Sequence, residues 1–186
     1  MRRRYIVTIL TALGVVGYLA VDDKELAPDN APIEVINQEP DYIIKGVVAQ
    51  FYDKNGQLDR QINALSARHF PANDSTELIT PTMVIRKGLE AHWSIKSKQG
   101  VLSKGETLDL NGDVSITPLK DSQADFSLST QHLSMDLNKQ IADTAEHVLI
   151  ESPSTRLNAK GMNMNLKTQQ VQFKSQVRGQ HDPKAQ

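Results

Sequence analysis

The chain has 186 residues, 21 of them basic and 22 acidic, with 5% aromatics and no cysteine. This length gives room for one domain and an extension, and the missing thiols exclude disulfides, zinc-thiolate sites and a lipidated cysteine behind a signal peptide. Without Arg2, Arg3 and Arg4, the 21 basic residues fall to 18 against 22 acidic ones, a balance of −4 that lacks the basic face nucleic-acid binding requires.

Residues 1–4 are a basic start, and Tyr5 to Val21 carries no charge. That run is about the shortest that spans a bilayer, roughly 17 residues. Arginines before it and Asp22, Asp23 and Glu25 behind it predict a single-pass helix over 5–21, with a cytoplasmic N-terminus and the remainder outside. A cleaved signal peptide is the competing reading. Cleavage after Ala20 puts Tyr18 at the −3 position, where a small residue is needed, so an uncleaved anchor is expected. Residues 22–41 are polar with prolines at 28, 32 and 40 and read as a tether.

From Tyr42 apolar and polar residues alternate, the period of a strand with one wet face. Tyr42 to Tyr52 is predicted as a first strand, Asp53 to Gly56 as a hairpin turn, and Leu58, Ile62 and Ala64 as one face of the returning strand. A less regular pair follows: Ala67 to Phe70, a turn over 72–75, then Leu78 to Arg86, with Pro81 at an edge or bulge. Trp93 to Thr117 carries the clearest alternation, at Trp93, Ile95, Leu108, Leu110, Val114 and Ile116, with Gly105 and Asn111-Gly112 where the chain turns or bulges.

This unit recurs. Alternating segments open near Ile62, Ile95, Leu128 and Leu157, spaced 33, 33 and 29 residues apart. They close with Thr82-Met-Val-Ile85, Asp113-Val-Ser-Ile116, His147-Val-Leu-Ile150 and Gln172-Phe-Lys-Ser175. Turns are predicted at Lys104-Gly105, 138–140 and 167–170. No segment after Val21 has a helical period. The expected class is antiparallel all-β, a domain over 42–179 built as two facing sheets or an open roll with an apolar interior, with 180–186 as a frayed tail.

Residues for chemistry are sparse. His69, His92, His132, His147 and His181 show no ligand spacing, so no metal is expected. Asp109 and Asp113, and Asp121 and Asp125, read as solvated turn carboxylates rather than an acid–base pair. No serine sits in a nucleophile motif, and no glycine loop cradles phosphate. No catalytic residue, cofactor or enzymatic activity is expected. The candidate inward residues are Val47, Phe51, Ile62, Leu78, Trp93, Ile95, Leu110, Val114, Ile116, Leu128, Leu137, Val148 and Phe173. They form either a dry core or a groove for acyl chains, worth about 0.8 kcal/mol per buried CH2. Met162 and Met164 fill core or adapt to an apolar partner. The first strand and the last, with Val171, Phe173 and Val177, are edges open to another chain.

The basic start, the short anchor, a tether ending in Glu39-Pro-Asp-Tyr42, then Phe51-Tyr-Asp-Lys-Asn-Gly-Gln-Leu58, Thr80-Pro81, Trp93 and Leu108-Asp-Leu-Asn-Gly-Asp-Val114 resemble the LptC family. The resemblance covers essentially the whole chain. It implies a non-enzymatic, inner-membrane-anchored periplasmic component of lipopolysaccharide export, with a twisted open β-jelly roll (OstA-like) whose interior carries lipid A acyl chains. Implied partners are lipopolysaccharide, the inner-membrane Lpt ABC transporter at the N-terminal edge and transmembrane helix, and the periplasmic bridge protein LptA at the C-terminal edge. The alternative is a membrane-anchored adaptor that binds no lipid and recruits a periplasmic partner.

Overall fold

Asp53 shows how the sequence builds its turns. Its Oδ1 accepts the backbone N–H groups of Asn55 and Gln57 at 2.8 and 2.9 Å, and Gly56 takes the left-handed φ of 76° that closes the hairpin. Asp136 and Asn165 repeat the device, each accepting two N–H groups in the turns that follow them. The computed structural model describes residues 39–87, 90–119 and 126–182. The anchor Tyr5–Val21, most of the 22–41 tether, and Asp121 and Asp125 lie outside these residues.

The described strands are β1 (Tyr42–Tyr52), β2 (Leu58–Phe70), β3 (Ser75–Ile79), β4 (Thr82–Lys87), β5 (Glu90–Lys96), β6 (Gln99–Ser103), β7 (Thr107–Pro118), β8 (Ser127–Asp136), β9 (Ile141–Glu151), β10 (Thr155–Asn165) and β11 (Gln170–His181). They form one 11-stranded antiparallel sheet, with no helix among the described residues. β2 pairs β1 along one edge; its other edge pairs β4 through 60–63 and β3 through 66–70. β7 likewise pairs β6 through 107–111 and β5 through 115–118. β3 with β4, and β5 with β6, are therefore two long strands, each broken once. The Thr80 N–H to Lys98 O bond, 2.8 Å, and the Ser97 N–H to Pro81 O bond, 3.2 Å, carry the ladder across both breaks. Pro81 needs no N–H partner there, and sits buried in a break rather than at a sheet edge.

The other long strands bend at the same level. Gly46, Gly112, Asp113, Gly161 and Gln176 all adopt left-handed φ within strands. Inward-facing parity changes there: in β2 from Ile62 and Ala64 to Ala67, in β8 from Leu128 to Leu133 and Met135, in β10 from Ala159 to Met162 and Met164. A crease thus runs across the sheet, and its two halves fold face to face. The Trp93 indole N–H donates to Leu166 O at 3.1 Å, joining β5 to the β10–β11 turn although β7, β8 and β9 separate β5 from β10 in the sheet.

Two crease glycines admit a lysine from the neighbouring strand. A Cβ on Gly161 would meet Lys174 Cδ at 2.8 Å, and one on Gly112 would meet Lys98 Cβ at 3.2 Å. With no Cβ in the way, Lys174 reaches Asp143 at 2.7 Å and Lys98 reaches Asp113 at 2.6 Å.

Several sequence expectations take their final form here. The repeat is real as pairing in its first three units, where Ile62 faces Met83, Ile95 faces Ile116 and Leu128 faces Ile150. In the fourth, Leu157 faces Gly179 and Phe173 faces Met162, so that unit is out of register. Ala67–Phe70 continues β2 rather than starting a new strand. Asn111-Gly112 is a bulge inside β7, with Asp109 paired to Val101 within the strand rather than beside a turn. β11 runs on to His181, paired with Thr155, past the point at which a frayed tail was expected.

Candidate functional site: an apolar interior between two open edges

The facing halves enclose one hydrophobic cluster. Ile62, Leu78, Trp93, Ile95, Leu110, Val114, Ile116, Leu128, Leu137 and Val148 all belong to it, none more than 4% exposed. Val47, Phe51 and Phe173 pack against its flanks and are only partly buried. The middle of the interior is thus close-packed, whereas inward side chains near the two edge strands still reach solvent. The candidate inward residues left out Met83, Ile85, Leu133, Met135, Ala142 and Leu166, which are equally buried. For Leu133 and Met135 the signal was the parity change at the crease, which simple alternation hides.

β1 pairs only with β2, and β11 only with β10, so each leaves one row of backbone groups unpaired among the described residues. The two edges differ. β1 is apolar on both faces: Val47, Ala49 and Phe51 point inward, while Ile43 and Val48 face out, 60% and 65% exposed, beside Leu65 of β2. β11 keeps Val171 and Phe173 against the core and leaves Val177 exposed among Gln172, Lys174, Gln176 and Arg178.

Polar contacts fix β1 at its ends. Tyr42 stacks on His69 with ring centroids 4.7 Å apart. His69 Nδ1 lies 2.8 Å from Asp41 Oδ1, and its Nε2 lies 3.5 Å from Asp74 Oδ1. The Asp41 hydrogen bond raises the His69 pKa above its usual value, burial opposes this, and Asp74 adds to the rise. At the other end the Arg60 guanidinium lies over the Phe51 ring, 4.8 Å from its centre. On the outer face, hydrogen bonds from Lys98 and Gln131 hold Asp113 below the usual carboxylate range. Burial pushes the Asp143 carboxyl up, but hydrogen bonds from Lys174 and Asn163 leave it net lowered.

Cavities open from the fold among the described residues. One, of about 430 Å³, lies between the margin of one half (Leu58, Asp59, Ile85, Trp93) and turns of the other (Gln140, Leu166, Lys167, Gln169). The second, about 500 Å³, lies at the crease between Val114, Thr130 and Val148, where β8 and β9 lose pairing between Ser129 and Ser134. No cluster of three metal-ligating side chains occurs among the described residues, nor does a helix long and apolar enough to cross a membrane.

A creased antiparallel sheet with an apolar interior and two unlike free edges is consistent with an open β-jelly roll. The chain belongs to the lipopolysaccharide-assembly, LptC-related family, whose family model matches residues 5–182. Membership implies a role in lipopolysaccharide transport and association with lipopolysaccharide and the Lpt export machinery. A direct comparison with curated proteins finds no match.

Proposed function

We propose that this protein carries lipopolysaccharide from the inner-membrane ABC transporter to the periplasmic bridge protein LptA, holding the lipid A acyl chains between the two half-sheets. Tyr5–Val21 anchors it in the inner membrane with the N-terminus in the cytoplasm, and the 22–41 tether sets the roll in the periplasm. The transporter joins at the β1 edge and the bridge protein at β11, each by strand pairing. The observation that carries this reading is the continuous apolar interior, which spans the sheet and is only partly covered at Val47 and Phe51 on one flank and Phe173 on the other. An acyl chain entering there gains about 0.8 kcal/mol per buried CH2. Carriage needs no bond making.

The close packing of the middle favours one competing reading, a dry-cored adaptor that recruits its periplasmic partner through β11. Full-length protein purified from lipopolysaccharide-producing cells separates the two. Bound lipopolysaccharide, identified by mass spectrometry and depleted in Phe51→Asp and Phe173→Asp, is the expected result. Capture of the partner with no lipid bound overturns carriage and leaves the adaptor.

A further inference from the structure

The two half-sheets are continuous through the backbone at the crease, so separating them opens the opposite margin. Side-chain hydrogen bonds among the described residues cross that margin. The Trp93 indole N–H donates to Leu166 O at 3.1 Å, Arg60 Nη1 donates to Leu137 O at 3.3 Å, and Gln140 Nε2 donates to Asp59 Oδ1 at 3.0 Å. None is a ladder bond, since β2 and β5 are not sheet neighbours of the turns they reach. Gln140 is buried and holds a left-handed φ of 56°, a strained conformation for a residue with a side chain. The 430 Å³ cavity opens at this margin, walled by Leu58, Ile85, Trp93 and Leu166. Its size lies within the range of small-molecule sites, roughly 300–1,000 Å³.

We infer that this cavity is where an acyl chain first wedges between the half-sheets, and that the Trp93–Leu166, Arg60–Leu137 and Gln140–Asp59 bonds are a latch the chain must displace. The inference rests on the lipid-carrying reading and gives it a gate. An acyl chain cannot fit beside side chains at most 4% exposed unless the halves separate. Each latch bond is worth little in water, so together they hold the roll shut without sealing it. Opening at this margin leaves the polar headgroup in solvent while the tail slides inward.

The chain has one tryptophan and no cysteine, so the latch carries its own probe and accepts a clean cysteine pair. Full-length protein in phosphatidylcholine vesicles is given a fatty acid brominated at mid-chain, which quenches Trp93 on contact. Gln57→Cys and Gln169→Cys, both on the cavity wall, are bridged by a reducible bismaleimide. Quenching should occur in the unbridged protein, disappear on bridging and return on reduction. Gln140→Ala should quench about fivefold faster, as expected for one lost hydrogen bond. Equal quenching in the bridged protein, or none in any form while lipopolysaccharide still co-purifies, overturns the latch and leaves carriage standing. No quenching and no bound lipopolysaccharide overturns both.

Discussion

β7 and β11 are built from the same alternating pattern and end in different environments. Leu108, Leu110, Val114 and Ile116 of β7 are at most 1% exposed, whereas Val171 and Phe173 of β11 remain partly open. The difference is place in the sheet: β7 has neighbours on both edges and a facing half, while β11 has one neighbour and a free edge. Alternation therefore tells which face a residue takes, and sheet order tells how deeply it is covered. The same comparison separates the close-packed middle of the roll from its flanks, where inward side chains stay partly open beside a free strand edge.

The largest effect that tests this contrast is truncation in the middle. Leu110→Ala should cost about 2–5 kcal/mol in chemical denaturation, the range for a core leucine. Phe173→Ala should cost clearly less, and equal losses would break the distinction between middle and flank. At the crease, Gly161→Ala should cost about 1–3 kcal/mol, because it must hold φ 76° and displace Lys174. Gly46→Ala meets nothing within 4 Å and should cost only about 1 kcal/mol; a reversed order would show that the crease is not held at Gly161. On the outer face of β1, Val48→Ser should change stability by no more than about 0.5 kcal/mol while weakening capture of a partner at that edge. A large loss of stability would place Val48 in the core.

The smallest expected effect is a pH dependence at the start of β1. His69 has a raised pKa in the folded chain because Asp41 and Asp74 favour its charged form. Its contribution is fully present below the unfolded value of about 6.5 and is lost as pH rises through the higher folded value. Melting curves between mildly acid and mildly basic pH should therefore fall slightly in the wild type and flatten in His69→Gln. Identical slopes would mean that His69 does not pin β1.

Much of the architecture was legible from alternation and turn chemistry. β1 has its expected limits, Asp53–Gly56 turns as its residues dictate, and three units of the repeat pair as spaced. What stayed hidden was the crease. One of its seats, Gln176, is a residue that rarely takes left-handed φ, so nothing local announces it. The parity change within β8 is why Leu133 and Met135 escaped notice beside Leu128. The margin bonds were illegible for a different reason: Trp93 and Leu166 are 73 residues apart and meet only because the sheet folds over.

The central claim is that the apolar interior carries lipid and is most open to it at the flanks, and photocrosslinking in living cells tests it most directly. Crosslinkers at Phe51 and Phe173 should capture lipopolysaccharide, one at Leu110 should capture less, and one at outward-facing Lys96 should capture none. Adducts at Lys96 alone, or no adduct at any inward position, would contradict the account.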